Sequence, residues 1–402
     1  MSATDTGGQL VGSKVLMGDG SWKAIEQIRP DDTVMSPQPD GSVMRAEVTT
    51  TWSQDDHDTC VITTVGRGGE RSFCCSIDQR LPFRALNRPR CKGSRKRETQ
   101  LVELTVRAFM NRGALFRQKA RVFTAPAYDL PEVTLPVHPY VLAALIGNGG
   151  MSRLERDAEE GNPNGSLNVA IADGPVITKL REFGVVFTAE TWRGGCWHNS
   201  INNTLRSRVR TTGLAGHTSY DKFVPEEYMQ ASLEQRLWML AGLIDTDGTK
   251  EEFATVSKLL ADDFVALIHS IGGVACARHR YTSAEPRGKK FPSWRVHYST
   301  GEHAIPVQCS RKYQGPRNMA WKNPRNTSFE IRSHSRMKIY GFSVASPSRW
   351  HVTDDWLVTS CGLAPIRSRS RPRCGQSPLE EQLAMTCPVL STGATRCNGT
   401  TP

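Results

Sequence analysis

Residues 240–248 read Leu-Ala-Gly-Leu-Ile-Asp-Thr-Asp-Gly, and this stretch limits the fold more than any other part of the chain. It is an apolar helical run with small residues near its start, and it stops on two carboxylates and a glycine. A helix C-terminus already carries about half a negative charge, so a carboxylate there needs a cation to offset it. A bound Mg²⁺ would supply one. A degenerate copy comes earlier, at Val141-Leu142-Ala143-Ala144-Leu145-Ile146-Gly147-Asn148-Gly149. Each copy precedes strand-like residues and a second helical pattern: 166–172 then 176–185 after the first, 253–256 then 258–271 after the second. Further strands are predicted at 274–281 and 294–298. About one hundred residues separate the copies, which suits two αββ-type half-domains around a pseudo-twofold axis. The small residues Ala143, Ala144, Ala241 and Gly242 would let the motif helices touch along that axis, with their C-termini side by side.

The flanks read differently. Residues 8–135 are rich in Val, Thr and turn signals such as Gly18-Asp19-Gly20 and Pro39-Asp40-Gly41, and Ala46-Glu47-Val48-Thr49 alternates as a strand does. Strand patterns return at 339–344 and 356–358. The last forty or so residues, with Arg367-Ser368-Arg369-Ser370-Arg371-Pro372-Arg373 and few large apolar side chains, are expected to be disordered. The expected class is therefore α+β and multidomain: an all-β domain over 8–135, an α/β domain over 136–330, a return to the all-β domain over 331–361, and a tail over 362–402.

Composition narrows the function. The 402 residues carry a formal net charge of +11, which favours a polyanionic partner, nucleic acid first. Residues 84–121 hold twelve Arg and Lys against two Glu, including Arg95-Lys96-Arg97. Alternation with Leu101, Leu104, Phe109 and Phe116 suits a folded DNA-facing surface; a solvated face or a localisation signal is the competing reading. No apolar stretch reaches membrane-spanning length, and Met1-Ser2-Ala3-Thr4-Asp5 lacks the features of a signal peptide. The expected location is intracellular, nuclear in a eukaryote and cytoplasmic otherwise. Eleven Cys without regular spacing suggest reduced thiols, and no His or Cys pair has zinc-site spacing.

The nonapeptide differs at one position from the signature of the LAGLIDADG (DOD-type) homing endonucleases, and the chain resembles that family there. The flanks resemble the two halves of a Hint domain, the splicing domain of inteins, interrupted by the nuclease. Gly12 to Ser21 is similar to the intein N-terminal block, Lys222-Phe223-Val224-Pro225 to the block before the second nuclease motif, and 340–344 with 350–361 to the C-terminal blocks. The whole layout resembles that of intein-derived nucleases that no longer splice.

The resemblance assigns splicing roles that this chain does not fill. The first nucleophile falls on Gly8, which has no side chain. The activating His falls on Gln79, at the end of Ser76-Ile77-Asp78-Gln79, and an amide is no acid or base near neutral pH. The terminal His-Asn pair falls on Thr359 and Ser360, and only Cys361 fits. Splicing is expected to be lost, although a self-processing Hint protein is the alternative for which Cys361 speaks. His351, near the same block, reads as a lone structural histidine.

For the nuclease, the resemblance implies one metal-holding carboxylate from each motif helix and Mg²⁺-assisted phosphodiester hydrolysis. Asp247 fills one position and Asn148 the other, so catalysis and metal binding would rest on a carboxylate and an uncharged amide. Aligning Leu142 with Leu240 would instead put Gly149 there. Asn148 opens two alternatives, a nickase or a DNA-binding relic. Lys222 matches a family lysine at the scissile phosphate, with an exposed lysine before a proline turn as the rival reading. Asp245 points to another helix face and reads as structural. DNA contacts are expected from strands carrying Arg206, Arg208 and Arg210, then Arg278 and Arg280, then Lys289 and Lys290, together with Arg95, Lys96 and Arg97. The expected partner is double-stranded DNA with a long asymmetric site, bound by a monomer.

Overall fold

The computed structural model describes residues 7–65, 69–87, 98–151, 154, 167–283, 290–312 and 326–361. The fold is mixed α and β, and its sheets are antiparallel throughout the described pairings.

The first part of the chain is all β. Its strands are β1 (Gln9–Leu10), β2 (Lys14–Leu16), β3 (Trp22–Ala24), β4 (Thr33–Pro37), β5 (Val43–His57), β6 (Thr59–Val65), β7 (Ser72–Ser76), β8 (Arg80–Asn87), β9 (Glu98–Thr105) and β10 (Arg121–Phe123). Helices α1 (Val106–Met110) and α2 (Ala114–Lys119) lie between the last two strands. The predicted alternation holds in β5, where Ala46 and Val48 are buried and their neighbours exposed.

The middle of the chain folds twice in the same way. The first repeat holds α3 (Pro139–Asn148), β11 (Gly149–Gly150), β12 (Leu167–Ile171), α4 (Gly174–Glu182), β13 (Phe187–Arg193), β14 (Cys196–Ile201) and α5 (Asn203–Arg210). After the short α6 (Glu226–Met229), the second holds α7 (Leu233–Asp247), β15 (Glu252–Thr255), α8 (Lys258–Ser270), β16 (Val274–Ser283) and β17 (Lys290–Ser299). The sheet orders correspond: β12-β14-β13 in one repeat, β15-β17-β16 in the other. Common to both repeats is the order helix-strand-helix-strand-strand, its second helix where the sequence placed one (176–185 and 258–271), and the first repeat adds β11 and α5. One apolar core, from Val137 to Cys309, spans both.

The chain then returns to the β part through β18 (Asn326–Ser333), β19 (Met337–Val344), β20 (Trp350–Val352) and β21 (Val358–Ser360). A ten-stranded sheet runs β4-β5-β19-β1-β7-β6-β18-β10-β8-β9, so early and late strands interleave. Because β18 pairs with β6 from Ser328 onward, the chain has rejoined this sheet before residue 331, earlier than the expected boundary. Trp356, expected in a strand, instead turns the chain at φ 58° and packs edge-on against Trp22, 5.1 Å between ring centroids.

A buried arginine links the two parts. Arg236 of α7 donates to the carbonyls of Ala231, Ser270 and Tyr128, its guanidinium 4.5 Å above the Tyr128 ring. Tyr128 in turn stacks on Trp356. No helix among the described residues is long and apolar enough to cross a membrane. The tail, 362–402, with its expected disorder, lies outside the described residues.

Candidate active site at the paired helix ends

Helices α3 and α7 touch through their small residues. A β-carbon on Gly242 would fall 2.5 Å from the Tyr140 carbonyl oxygen and 2.6 Å from the Ala143 β-carbon. Both helices end alike. Gly149 donates its N–H to Leu145 O and Gly248 to Ile244 O, both glycines are extended rather than left-handed, and each at once pairs with a strand, Gly149 with Val169 in the sheet and Gly248 with Phe253 through an isolated bridge. Gly149 therefore corresponds to Gly248, Asn148 to Asp247, and Ile146 to Asp245. Asn148 and Asp247 are half-buried at the adjacent ends, and the Asp247 Oδ2 lies 3.1 Å from where a β-carbon on Gly147 would stand.

A lysine closes each helix end. Lys222, only 5% exposed, donates to the carbonyls of Leu145 (3.3 Å), Ile146 (2.7 Å) and Gly149 (2.8 Å). It is thus neither exposed nor pointed outward. Lys312 does the same for α7, donating to Ile244 (3.1 Å), Asp245 (2.8 Å) and Thr246 (3.2 Å). Each ammonium places its three protons on carbonyl oxygens clustered at a helix end, adding to the Gly149 and Gly248 N–H bonds that Leu145 O and Ile244 O already accept. Lys312 was missed in the sequence. Its only signal is its place after the second repeat, matching that of Lys222 after the first.

Burial raises the Asp247 carboxyl above its ordinary range, against the pull of Lys222 and Lys312. Burial likewise brings Lys222 down to about 8, opposed by Asp247. Two ammonium groups here face one carboxylate and two helix ends worth about half a negative charge each. The protein itself therefore supplies the cationic offset that the nonapeptide demands.

Asp245 is fully engaged elsewhere, accepting from the Tyr140 hydroxyl (2.9 Å), Gln308 N (2.7 Å) and Cys309 N (3.1 Å). Among the described residues no three His, Cys, Asp or Glu are grouped as metal ligands. The donor set at the seam is one carboxylate and one amide. Hard cations take oxygen ligands, so this set fits a single water-rich cation and not a symmetric pair held by carboxylates.

The basic residues divide. Arg278 and Arg280 are exposed on the face of β16 turned away from the helices, beside Arg295, which pairs with Glu252 at 2.9 Å. Lys290 is exposed at the start of β17. Arg206, Arg208 and Arg210, by contrast, do not alternate along a strand: they lie on α5, which Asn202 caps from its side chain to Leu205 N. Arg206 is buried there, Arg210 donates to Leu154 O (2.8 Å), and only Arg208 is exposed. Helical period, not strand period, decides which side chains share a face. Arg95, Lys96, Arg97 and Lys289 lie outside the described residues.

A second buried cluster lies between the two-stranded β20-β21 sheet and the ten-stranded sheet. Ser76 N donates to Gly8 O (2.8 Å), and the Gln79 side-chain amide donates to Thr359 Oγ1 (2.7 Å) and Ser360 O (2.5 Å). His351 is not alone. Its Nδ1 lies 3.2 Å from Cys361 Sγ and its Nε2 lies 2.6 Å from the Gln9 amide nitrogen. Burial lowers His351 to about 3 and raises the Cys361 thiol, so both rest neutral.

No protein-family model matches the chain. It is 32% identical over 156 residues to a replicative DNA helicase, DnaB, of Mycobacterium intracellulare. That stretch is 38% of this chain and 22% of the helicase, so the chain spans under a quarter of that protein.

Proposed function

We propose that the chain is an intein-derived, site-specific double-stranded DNA endonuclease of the LAGLIDADG type, acting as a monomer and no longer splicing. The observation that carries this reading is the seam of α3 and α7, where two helix ends meet with Asp247 near two lysines, Lys222 buried and Lys312 half-buried. Asp247 and Asn148 would hold Mg²⁺, which supplies Lewis-acid activation of the phosphate and its attacking water. Lys222 and Lys312 hold the helix ends and moderate the charge on Asp247. Arg278 and Arg280 lie on β16, the edge strand of the three-stranded β15-β17-β16 sheet, and strands can enter a major groove. With Asn148 in place of a second carboxylate, two alternatives attach to this reading: a nick in one strand, and binding without cleavage. Helicase activity is not carried over, because the sequence has no G-x-x-x-x-G-K-[ST] loop to cradle nucleotide phosphates.

The test is incubation of the full chain with a supercoiled plasmid carrying its own coding locus, with Mg²⁺ or EDTA. Linear product supports a double-strand endonuclease, open circle a nickase, and a retarded intact plasmid a relic. No binding at all overturns the reading. The contact between His351 and Cys361, beside a Ser360 carbonyl that Gln79 already polarises, favours self-processing as a second reading. Mass spectrometry of the intact chain would then find a fragment ending near Ser360.

A further inference from the structure

Gln308 to Lys312 form a strap across the two repeats. Gln308 and Cys309 give their backbone N–H groups to the two carboxylate oxygens of Asp245, at 2.7 and 3.1 Å. Arg311 pairs with Asp173 of the first repeat at 2.7 Å, and Lys312 then reaches the end of α7. Asp245 is 3% exposed and takes its third hydrogen bond from Tyr140 of α3. The Arg311 pair is open to solvent on the arginine side, and exposed pairs hold little. The buried carboxylate is the firmer anchor, because ionised acceptors make the stronger hydrogen bonds.

The other half of the site uses the same device with unrelated residues. Ile146 stands where Asp245 would be, yet the Lys222 backbone is pinned by Ser257 Oγ, donating to its carbonyl at 2.6 Å, and by Asp263, accepting from Val224 N at 2.8 Å. Both helix-end lysines are therefore fixed through their main chain by a buried side chain within a few residues.

We propose that Asp245 is a positioning residue that sets the Lys312 ammonium on the end of α7. Its weight in catalysis rests on the endonuclease reading; its hold on Lys312 does not. The experiment is acetylation of the full-length chain with an amine-reactive reagent, followed by mass spectrometry of each lysine, with exposed Lys250 as internal reference. Wild-type Lys312 reacts slowly, its protons being engaged. Asp245→Asn cannot accept both N–H groups, and it raises Lys312 acetylation severalfold while Lys222 stays protected. Tyr140→Phe removes only the third hydrogen bond and leaves Lys312 as in the wild type. Equal exposure in both variants, or continued protection in Asp245→Asn, overturns the proposal. Should Asp245→Asn not fold, amide hydrogen exchange on the wild type decides: Gln308 and Cys309 are protected if Asp245 holds them, and rapid exchange overturns it. In the plasmid assay Asp245→Asn lowers the cleavage rate at saturating DNA with unchanged DNA affinity. A wild type that never cuts counts against the endonuclease reading alone.

Discussion

Gly147 of the first motif helix lies directly against Thr246 of the second, so close that a β-carbon at 147 would collide with the Thr246 hydroxyl oxygen. That contact and the one at Gly242 bring the two helix ends together. Alanine favours helices over glycine by about 1 kcal/mol, so Gly147→Ala and Gly242→Ala should stabilise an isolated helix. Here they should do the reverse, costing about 1–3 kcal/mol through overpacking. A lowered denaturation midpoint in both variants would bear this out, and unchanged or raised midpoints would show that the seam can open without penalty.

Lys222 carries a stability prediction with a definite sign. Replacing it with Met leaves the Leu145, Ile146 and Gly149 carbonyls without their shared donor, a loss of at least about 2 kcal/mol. In the wild type the folded value near 8 lies below the ordinary 10.5, so between those limits the unfolded chain binds more protons. The contribution of this group to stability should therefore rise as pH increases through that window. Melting curves at pH 7.5 to 10 should show a smaller rise for Lys222→Met than for the wild type, and parallel curves would refute the assignment.

Acid should unfold the chain through its buried histidines. Burial lowers His351 and His269 to about 3 and His138 to about 4, so below pH 6.5 the unfolded state takes protons that the native state refuses. Asp263 and Asp355, raised to about 6, bind protons in the native state and oppose the trend with smaller shifts. The net expectation is falling stability from pH 6.5 to 4, read by thermal melting, with a shallower slope in His351→Gln. A flat profile would mean that these rings are open to water.

Asn148→Asp tests the metal argument. A second carboxylate at the helix ends adds repulsion that the two lysines do not cover, so the variant should melt lower than the wild type in EDTA. Added Mg²⁺ should restore more stability to the variant than to the wild type, since a ligand that binds only the native state stabilises it. Cleavage should rise with it. Equal Mg²⁺ responses would place metal binding elsewhere.

The helix pair was legible because its signals are local and dense: apolar period, small residues, and a carboxylate-glycine stop. The equivalence of Asn148 with Asp247 followed from the same pattern. Lys312 was not legible, because a single lysine among charged neighbours acquires its role only when the chain folds back from the far end of its repeat. The strands 187–193 and 196–201 were missed for a related reason, since their outer positions carry Thr, Glu and Arg in place of an alternating apolar face. At Arg206–Arg210 a short Arg-Val alternation misled, because three residues fit either period and the Asn202 cap decided for helix.

That error separates two groups of arginines by experiment. Each phosphate contact contributes about 0.9 to the slope of log affinity against log salt. Arg278→Ala and Arg280→Ala, both on an exposed strand face, should each lower that slope by about 1 and leave the melting temperature unchanged. Arg206→Ala should act oppositely, lowering the melting temperature with little effect on the slope, because its side chain is buried on α5. Titration of labelled duplex from the coding locus at several salt concentrations, beside thermal melts of the same variants, measures both quantities. If Arg206→Ala changed the slope while Arg278→Ala did not, the DNA face would lie on the α5 side of the first repeat and not on the outer face of β16.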